Sequence, residues 1–568
     1  MSGHVTAVTG SDQAAAQADD AAAGEAPRAE TQPPERREPE PPRQPRRRRR
    51  WPHVLGVGFV FSAYTALYSA YLLGLYAVLQ PGLADVGEYD QAISGYAHFM
   101  GPHSPFVGLP SLSSAGSLQL SDHFEPLIAL LAPGYWIHDG PQTLLVETAI
   151  LCALTVIPLW FFTRRAAGWD SRFGIAAAYL VVIGYGVTWP LQMAMDFEFH
   201  EVFLFLPIAV WMMERAQAGR LRQAALVSLL LLGVKDDMGL VVAVFGVYLA
   251  AKGKSLGDWY RLLRGAVRER RIPMQALLRA DRLWFLALVP VGLGMVELVS
   301  SVLIPHFGGS PQRDFSYTQF GATPPQAIGA MLGDPGRALG TLVDSHFKIQ
   351  TLQMLLWPAL GLCVFSPLSL MAVPLLLERY LSVNTLYWGM PLHYNAFIVP
   401  FIFCGGVDGA LRVARWITEN RAAAARLGRH APRARSVLMC CFAAYVAIYG
   451  WSTAHRYYFD AMTKPAFWNT STPEIEAARA TVAHVPPNVL VAAATQIGPQ
   501  LLDKDKVIMW SVPGDRGYPD TPWIVADIYR PSYPFPTVVS QEKRVLGEMA
   551  DGYKVVFVDD GWVVLHKS

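Results

Sequence analysis

Long apolar runs, separated by short polar loops, are the feature that most constrains what this chain can fold into. A helix needs about 20 mostly apolar residues to cross a bilayer. Of the 568 residues, 52% are hydrophobic and 16% are charged, against about a quarter charged in ordinary globular proteins. The composition excludes an ordinary soluble enzyme and indicates an α-helical polytopic membrane protein. Its eleven candidate transmembrane helices are 53–79, 141–163, 173–193, 201–214, 222–234, 239–251, 283–304, 351–365, 367–379, 394–411 and 436–452.

Basic residues predict the orientation of these helices, because Lys and Arg are enriched in cytoplasmic loops. Five consecutive arginines, residues 46–50, directly precede the first candidate, and the segments 252–282 and 412–435 are also rich in Lys and Arg. Residues 81–140 contain neither. With eleven crossings, we expect a cytoplasmic N-terminus and an extracytoplasmic C-terminal segment, in the plasma membrane.

Composition divides the chain into three predicted regions. Residues 1–50 are rich in Pro, Ala and Arg and predict a disordered cytoplasmic tail. Its basic end adjoins an apolar run, which favours an anchor on anionic lipid over nucleic-acid binding. Residues 51–452 form the predicted transmembrane domain, with a first extracytoplasmic loop at 81–140. Residues 453–568 regain ordinary polarity and predict a small extracytoplasmic α/β domain.

The C-terminal region carries local signals for that α/β domain. A helix is expected from Pro473, after Ser471 and Thr472, which are suited to cap it. Asp559-Asp560-Gly561 predicts a hairpin turn between the last two strands. The five strand-like runs are 489–493, 507–510, 523–526, 554–558 and 562–565.

Ionisable residues gather in the loops that we expect outside the cell. Asp85, Glu88 and Asp90 lie next to an apolar run with no cation nearby in sequence. Desolvation can raise the pKa of such a carboxyl group, or the group can bind a cation; a solvated acidic loop is the alternative. The short loop 196–201 alternates polar and aromatic residues, which suits either divalent-cation ligands or a hydrogen-bonded cap.

A second group of ionisable residues interrupts the apolar runs themselves. Lys235-Asp236-Asp237 separates two candidate helices, and an ionisable group at membrane depth costs about 2.5–3.5 kcal/mol. Such groups usually pair and serve function, although a plain hairpin turn is also consistent with the pattern. A site at this boundary would suit a substrate with a lipid tail and a polar head. Further candidates in the outside segments are Arg313, Lys348, His393 and Tyr394.

Several familiar catalytic patterns are missing from the sequence. It contains no G-x-x-x-x-G-K-[ST] phosphate loop, no G-x-G-x-x-G fingerprint, no G-x-S-x-G elbow and no H-E-x-x-H motif. ATP-driven transport by this chain alone, dinucleotide chemistry and zincin-type proteolysis therefore lose support.

Motifs in a fixed order carry a resemblance to a known family. Residues 85–91 read D-V-G-E-Y-D-Q, close to F-D-L-G-x-x-D-Q in the bacterial multi-pass family catalogued as domain of unknown function 2079. Ala84 stands where the first family motif has an aromatic residue. Asp236 stands where the family's V-K-E-D motif has a Glu. The resemblance extends over residues 55–566. Its other matching segments are His123-Phe124, Phe199-His200, Val234-Lys235-Asp236-Asp237, Ser366-Pro367 and His393-Tyr394.

That family resembles membrane glycosyltransferases of the GT-C fold, which take a sugar from a polyprenyl-phosphate donor outside the membrane. The resemblance implies transfer to a cell-envelope glycan acceptor, with Asp85 as the base and Glu88 beside it. Some GT-C enzymes require a divalent cation and others do not, so metal use stays open. The resemblance implies that His123, Asp196 and His200 either orient the acceptor or hold a metal. The residues implied to bind substrate or neutralise the departing phosphate are Asp90, Gln91, His123, Asp196, His200, Lys235, Asp236, Arg313, Lys348, His393 and Tyr394.

Two alternatives remain at the level of sequence. A transporter or flippase of lipid-linked sugars should contain a repeat with broken helices at mid-membrane, and no convincing repeat is present. A non-catalytic membrane scaffold would leave a cluster of ionisable residues without a purpose, namely Asp85, Glu88, Asp196 and Lys235. Both features favour the transferase.

Overall fold

The computed structural model describes residues 51–80, 82–105, 118–253, 282–310, 315–511 and 521–568. Helices occupy most of the chain up to Ala454, and a small sheet lies near the C-terminus. The α-helices are α1 (Trp51–Ala77), α2 (Leu83–Ala97), α3 (Ala132–Tyr135), α4 (Pro141–Leu154), α5 (Val156–Ala167), α6 (Arg172–Gly186), α7 (Trp189–Asp196), α8 (Val202–Gln217), α9 (Leu221–Leu229), α10 (Gly239–Ala251), α11 (Leu288–Leu298), α12 (Ile304–His306), α13 (Pro324–Gly333), α14 (Pro335–Thr341), α15 (His346–Leu356), α16 (Ala372–Leu381), α17 (Val399–Glu419), α18 (Arg421–Leu427), α19 (Ala431–Ala454), α20 (Pro473–Ala483) and α21 (Val538–Ala550).

Six helical stretches in the described part of the chain are long and apolar enough to cross a membrane. They coincide with six of the eleven candidates, which confirms a helical polytopic membrane protein. The other five candidates correspond to shorter or interrupted helices, such as α8, α9 and α10, so a count of eleven is not confirmed. The six stretches are His53–Ala77, Pro141–Ala167, Arg172–Asp196, Leu283–His306, Ala396–Glu419 and Arg421–Ala454.

The C-terminal sheet has five strands in the order β2-β1-β3-β5-β4. β1 pairs in parallel with β2 and β3, whereas β5 is antiparallel to β3 and β4. Each strand overlaps one of the five predicted runs. The Thr472 side chain caps α20, as predicted, by accepting a hydrogen bond from the Ile475 amide. The strands are β1 (Leu490–Ala493), β2 (Lys506–Met509), β3 (Trp523–Asp527), β4 (Lys554–Asp559) and β5 (Trp562–His566).

α2 connects the helical region to the sheet. Leu83 and Val86 are fully buried and belong to the hydrophobic core that also contains Val491 of β1. Tyr89, on the same helix, is buried in the core formed by the membrane helices. One short helix, directly after the first candidate transmembrane helix, is therefore packed between two cores.

Candidate active site

A cavity of about 410 Å³ lies at the end of the helical region where α1 leads into α2. We call it the acidic cavity, because more carboxyl groups than cations line it. Its acidic, basic and histidine lining residues come from α2, from the chain between α2 and α3, from the chain between α7 and α8, from the break between α9 and α10, and from α16 and the loop after it. They are Asp85, Glu88, Asp122, His123, His200, Glu201, Lys235, Asp236, Asp237, Glu378, Arg379 and His393.

Asp85 enters the acidic cavity from the first turn of α2. A carboxylate is favoured at that position because the amide groups at the start of a helix carry partial positive charge. Gly82 precedes the helix in extended conformation, and its amide donates to the Glu198 carboxylate at 2.9 Å. Asp85 Oδ1 lies 3.4 Å from His200 Nε2. These contacts hold the Asp85 carboxylate at the cavity wall with an imidazole beside it.

Glu88 lies one turn further along α2 and also lines the acidic cavity. Burial, followed by the negative charges of Asp122 and Asp85, raises the pKa of Glu88 to about 8. A large part of the Glu88 population therefore carries a proton at neutral pH. The two carboxyl groups of this helix face are thus suited to different roles, one as a proton acceptor and one as a hydrogen-bond donor.

Lys235 is held at the cavity wall by a buried ion pair. Its Nζ donates to Glu201 Oε1 at 2.5 Å, and the Tyr89 hydroxyl donates to Glu201 Oε2 at 3.0 Å. Burial opposes the positive charge, but Glu201 and then Asp237 outweigh it and raise the pKa of Lys235 above its usual range. Lys235 is therefore a fixed cation, and Glu201, which was absent from the predicted site residues, is its main partner.

Three histidines line the cavity at different distances from carboxylates. His123 Nδ1 lies 3.7 Å from Asp236 Oδ1. The rings of His200 and His393 are stacked, with centroids 3.8 Å apart. Among the described residues, neither ring nitrogen of the buried His393 has a hydrogen-bond partner. Burial, and then the neighbouring His200, lower the pKa of His393, so it is a neutral ring with two nitrogens available to a ligand.

Glu378 and Arg379 belong to the cavity wall but were not among the residues predicted for the site. Both lie on α16, in the apolar run that predicted a transmembrane helix over 367–379. Two ionisable residues in such a run are a signal for function that the sequence did contain. Tyr394, which was predicted, also lines the cavity, and its ring lies 5.9 Å from the Arg379 guanidinium.

Four predicted site residues contact other parts of the protein instead of lining the acidic cavity. Asp90 Oδ1 accepts a hydrogen bond from the Tyr135 hydroxyl at 2.8 Å, and Asp196 Oδ1 accepts one from Tyr71 at 2.7 Å. The Gln91 side chain is bound to the backbone of β2.

The fourth of these residues is Lys348. Its buried ammonium group donates to Thr341 O, Tyr380 O and the Asp344 carboxylate, at 2.6 to 2.8 Å. All three of its N–H donors therefore have protein acceptors. Lys348 therefore stabilises the surrounding fold and does not line the acidic cavity. Arg313 lies outside the described residues.

Metal ligation was left open by the sequence. In the described ranges, no group of three or more His, Cys, Asp or Glu side chains is arranged to hold a metal ion. His123, Asp196 and His200 are not brought together, because Asp196 is bound to Tyr71 away from the cavity.

A family described as predicted membrane protein (DUF2079) matches residues 75–564 of the chain. The chain belongs to this family. The match includes α2, the residues that line the acidic cavity and the C-terminal sheet, so the resemblance inferred from the motifs is confirmed. No curated protein matches the chain.

Two solved structures of ArnT from Cupriavidus metallidurans are similar to this DUF2079 protein, one bound to undecaprenyl phosphate and one in the apo state. The sequence identity is 13% in both cases, and the TM-scores are 0.36 and 0.33. The matches cover 90% and 89% of this chain and 98% of each ArnT chain. At this level of similarity, the ArnT structures assign no role to the residues of the acidic cavity.

Proposed function

We propose that this DUF2079 protein is an integral-membrane glycosyltransferase that moves a sugar from a polyprenyl-phosphate donor to a cell-envelope acceptor. One observation carries the proposal: a carboxylate at a helix start, Asp85, and a fixed cation, Lys235, line the same cavity. Glycosyl transfer from a phosphate ester needs a proton acceptor for the attacking hydroxyl and positive charge for the departing phosphate.

In the proposed reaction, the acceptor hydroxyl attacks the anomeric carbon while Asp85 takes its proton. The bond between that carbon and the phosphate oxygen breaks, and its electron pair leaves with the polyprenyl phosphate. Lys235, kept charged by Glu201, stabilises the negative charge of the leaving group. His200, 3.4 Å from Asp85, keeps the carboxylate directed into the cavity.

Substrate orientation is assigned to the remaining cavity residues. Protonated Glu88 donates a hydrogen bond to a substrate oxygen, and the two free ring nitrogens of His393 bind hydroxyl groups. Tyr387 and Tyr394 add aromatic surface beside these polar groups. A cavity with a few convergent polar groups on an aromatic lining is the usual form of a small-molecule site.

The orientation predicted from the arginines places this chemistry outside the cytoplasm. In that arrangement the tail before Trp51 lies inside, and the acidic cavity and C-terminal sheet lie outside. Residues 81–140, which supply Asp85 and Glu88, contain no Lys or Arg, in agreement with an outside loop. The donor would then reach the cavity from the outer leaflet.

A donor-turnover assay tests the proposal. The full chain in lipid nanodiscs receives a panel of radiolabelled polyprenyl-phosphate sugars and a crude envelope acceptor fraction. We expect free polyprenyl phosphate to be released by the wild type and by Asp139→Asn, an exposed loop carboxylate. Asp85→Asn should lose this release while keeping its thermal stability.

Other outcomes would identify the alternatives. Labelled donor that crosses sealed vesicles unchanged, with no release of polyprenyl phosphate, indicates a flippase. Full turnover by Asp85→Asn removes Asp85 from the mechanism. If no donor gives either turnover or transport, the result supports the membrane scaffold.

A further inference from the structure

Arg379 is a buried cation whose contacts in the described part of the chain are with neutral acceptors. Its side chain is 6% exposed and lines the acidic cavity. The guanidinium donates to Tyr387 O at 2.9 Å, to Tyr394 O at 3.3 Å and to Asn395 Oδ1 at 3.1 Å. A guanidinium has five N–H donors, so two are left for a ligand.

The other buried cations near this end of the molecule each form an ion pair with a carboxylate of the protein. Lys235 is paired with Glu201, and Lys348 is paired with Asp344. No carboxylate in the described ranges forms an ion pair with Arg379. Glu378, its neighbour in sequence, interacts with the Asp237 carboxyl group instead.

A buried charge is costly unless an opposite charge compensates it. Backbone carbonyls and an amide orient the Arg379 guanidinium, but they contribute no negative charge. An anionic ligand bound at the Arg379 guanidinium would therefore offset the free-energy cost of burying this cation. Guanidinium groups are also the side chains best matched in shape to phosphate oxygens.

We propose that Arg379 forms an anion subsite of the acidic cavity and binds the phosphate group of an isoprenoid-linked ligand. The subsite stands on the contacts of Arg379, whereas the isoprenoid identity of the ligand rests on the proposed function. Lys235 and Arg379 then differ in their partners: Lys235 is paired with Glu201 of the protein itself, and Arg379 is the charge that the ligand pairs.

Arg379 also orders the loop that carries other cavity residues. Asn395, which accepts from the guanidinium, donates through its Nδ2 to Gly389 O and Met390 O. Tyr387 and Tyr394, whose carbonyls bind the same guanidinium, contribute lining side chains. A variant at position 379 can therefore disturb this loop, and a second variant is needed that keeps the arginine.

The test measures binding without any transfer reaction. The full chain in detergent is titrated with farnesyl phosphate, farnesol or inorganic phosphate, and binding is followed by isothermal titration calorimetry. We expect the wild type to bind farnesyl phosphate better than farnesol. Arg379→Gln should weaken farnesyl phosphate binding about 10- to 100-fold, the usual effect of losing hydrogen bonds from a charged group, and leave farnesol unchanged. Arg456→Gln, at an exposed arginine at the end of α19, is the matched control and should bind like the wild type.

Asn395→Asp is the second variant, because it keeps Arg379 and supplies it with an internal carboxylate. We expect that carboxylate to compete with the ligand phosphate and to weaken farnesyl phosphate binding. Asn395→Asp also removes the two Nδ2 hydrogen bonds to Gly389 O and Met390 O, so farnesol binding reports on the loop and should stay unchanged if charge competition is the cause. Wild-type affinity in either variant, once it is shown to be folded by its thermal unfolding midpoint, overturns the subsite. So does a wild type that does not distinguish farnesyl phosphate from farnesol.

The remaining arms separate the subsite from the proposed function. Inorganic phosphate that binds as tightly as farnesyl phosphate, with the same dependence on Arg379, supports the anion subsite and overturns the isoprenoid identity of its ligand. Arg379-dependent binding of farnesyl phosphate in a protein that transfers no sugar supports the subsite and counts against the transferase.

Discussion

The two faces of α2 contact different parts of the protein. One face presents Asp85 and Glu88 to the acidic cavity. The opposite face presents Leu83 and Val86 to the core of the C-terminal sheet, and Gln91 to β2. A single short motif thus combines the proposed chemistry with the contact that holds the helix in place.

The Gln91 side chain binds the free edge of the sheet, where a further strand would otherwise pair. β2 is an edge strand, and Gln91 satisfies both backbone groups of Val507 on it, donating to its oxygen at 3.0 Å and accepting from its nitrogen at 3.1 Å. Leu83 packs so closely that a Cβ at Gly498 would lie 2.2 Å from the Leu83 side chain. The sheet therefore supports the position of Asp85, and the comparison predicts separable losses of activity and of stability.

The largest expected effect distinguishes two carboxyl groups of the same helix. Asp85→Asn should lower transfer by about 10²- to 10⁴-fold, the usual contribution of a general base, with the unfolding midpoint unchanged. Asp90→Asn should keep most of the activity, because Asp90 contacts Tyr135 and not the cavity. Turnover and thermal unfolding of both variants check this. Equal losses of activity in the two variants would show that the faces are not functionally distinct.

The next effect concerns the sheet-facing side. Leu83→Ala should destabilise the protein by about 2–5 kcal/mol, because it leaves a cavity in a fully buried core position. Leu546→Ala, at a 64% exposed leucine of α21, is the control and should have little effect. Unfolding midpoints of the two variants measure the difference. A stable Leu83→Ala protein would contradict the close packing of α2 on the sheet.

Gln91→Ala should have a smaller effect on stability, about 1–3 kcal/mol, because it leaves the two backbone groups of Val507 without their partner. The variant should also increase hydrogen exchange in α2 and lower the turnover rate more than the donor affinity. Gln223→Ala, at an exposed position on α9, serves as control. Unchanged exchange in α2 would mean that the helix keeps its position without Gln91.

Much of this arrangement was predictable from the sequence, because apolar runs and strand patterns are local signals. All five strands were predicted to within one residue of their observed bounds, and the six long apolar stretches were predicted as helices. Two of these stretches, Ala396–Glu419 and Arg421–Ala454, extend well beyond the predicted 394–411 and 436–452. Motif residues such as His123, Lys235 and His393, far apart in sequence, line one cavity.

Other parts of the site depend on the helical period and on tertiary contacts. These were missed because residues 85–91 were interpreted as one unit, with all polar residues assigned to the site. In α2, positions 83, 86 and 90 share one face, whereas 85, 88 and 89 share another, so a 3.6-residue period separates Asp90 from Asp85. Arg379 was missed because its run was interpreted only as a transmembrane helix. Lys348 was predicted to be free for ligand, and only the fold reveals its three protein acceptors.

The smallest expected effect is a pH dependence that belongs to the cavity-facing side of α2. Burial, and then Asp122 and Asp85, raise the pKa of Glu88 to about 8, above the ordinary glutamate value near 4.5. A raised carboxyl pKa means that the folded state binds the proton more tightly than the unfolded state, so stability falls as pH rises between these values.

The unfolding midpoint of the wild type should therefore decrease more steeply from pH 5 to pH 8 than that of Glu88→Gln, which cannot ionise. Gln91→Ala should retain the wild-type slope, because its contact is with backbone groups that do not titrate. Parallel slopes for the wild type and Glu88→Gln would show that Glu88 is ionised in the cavity, and the proposed division between a proton acceptor and a hydrogen-bond donor would have to be abandoned.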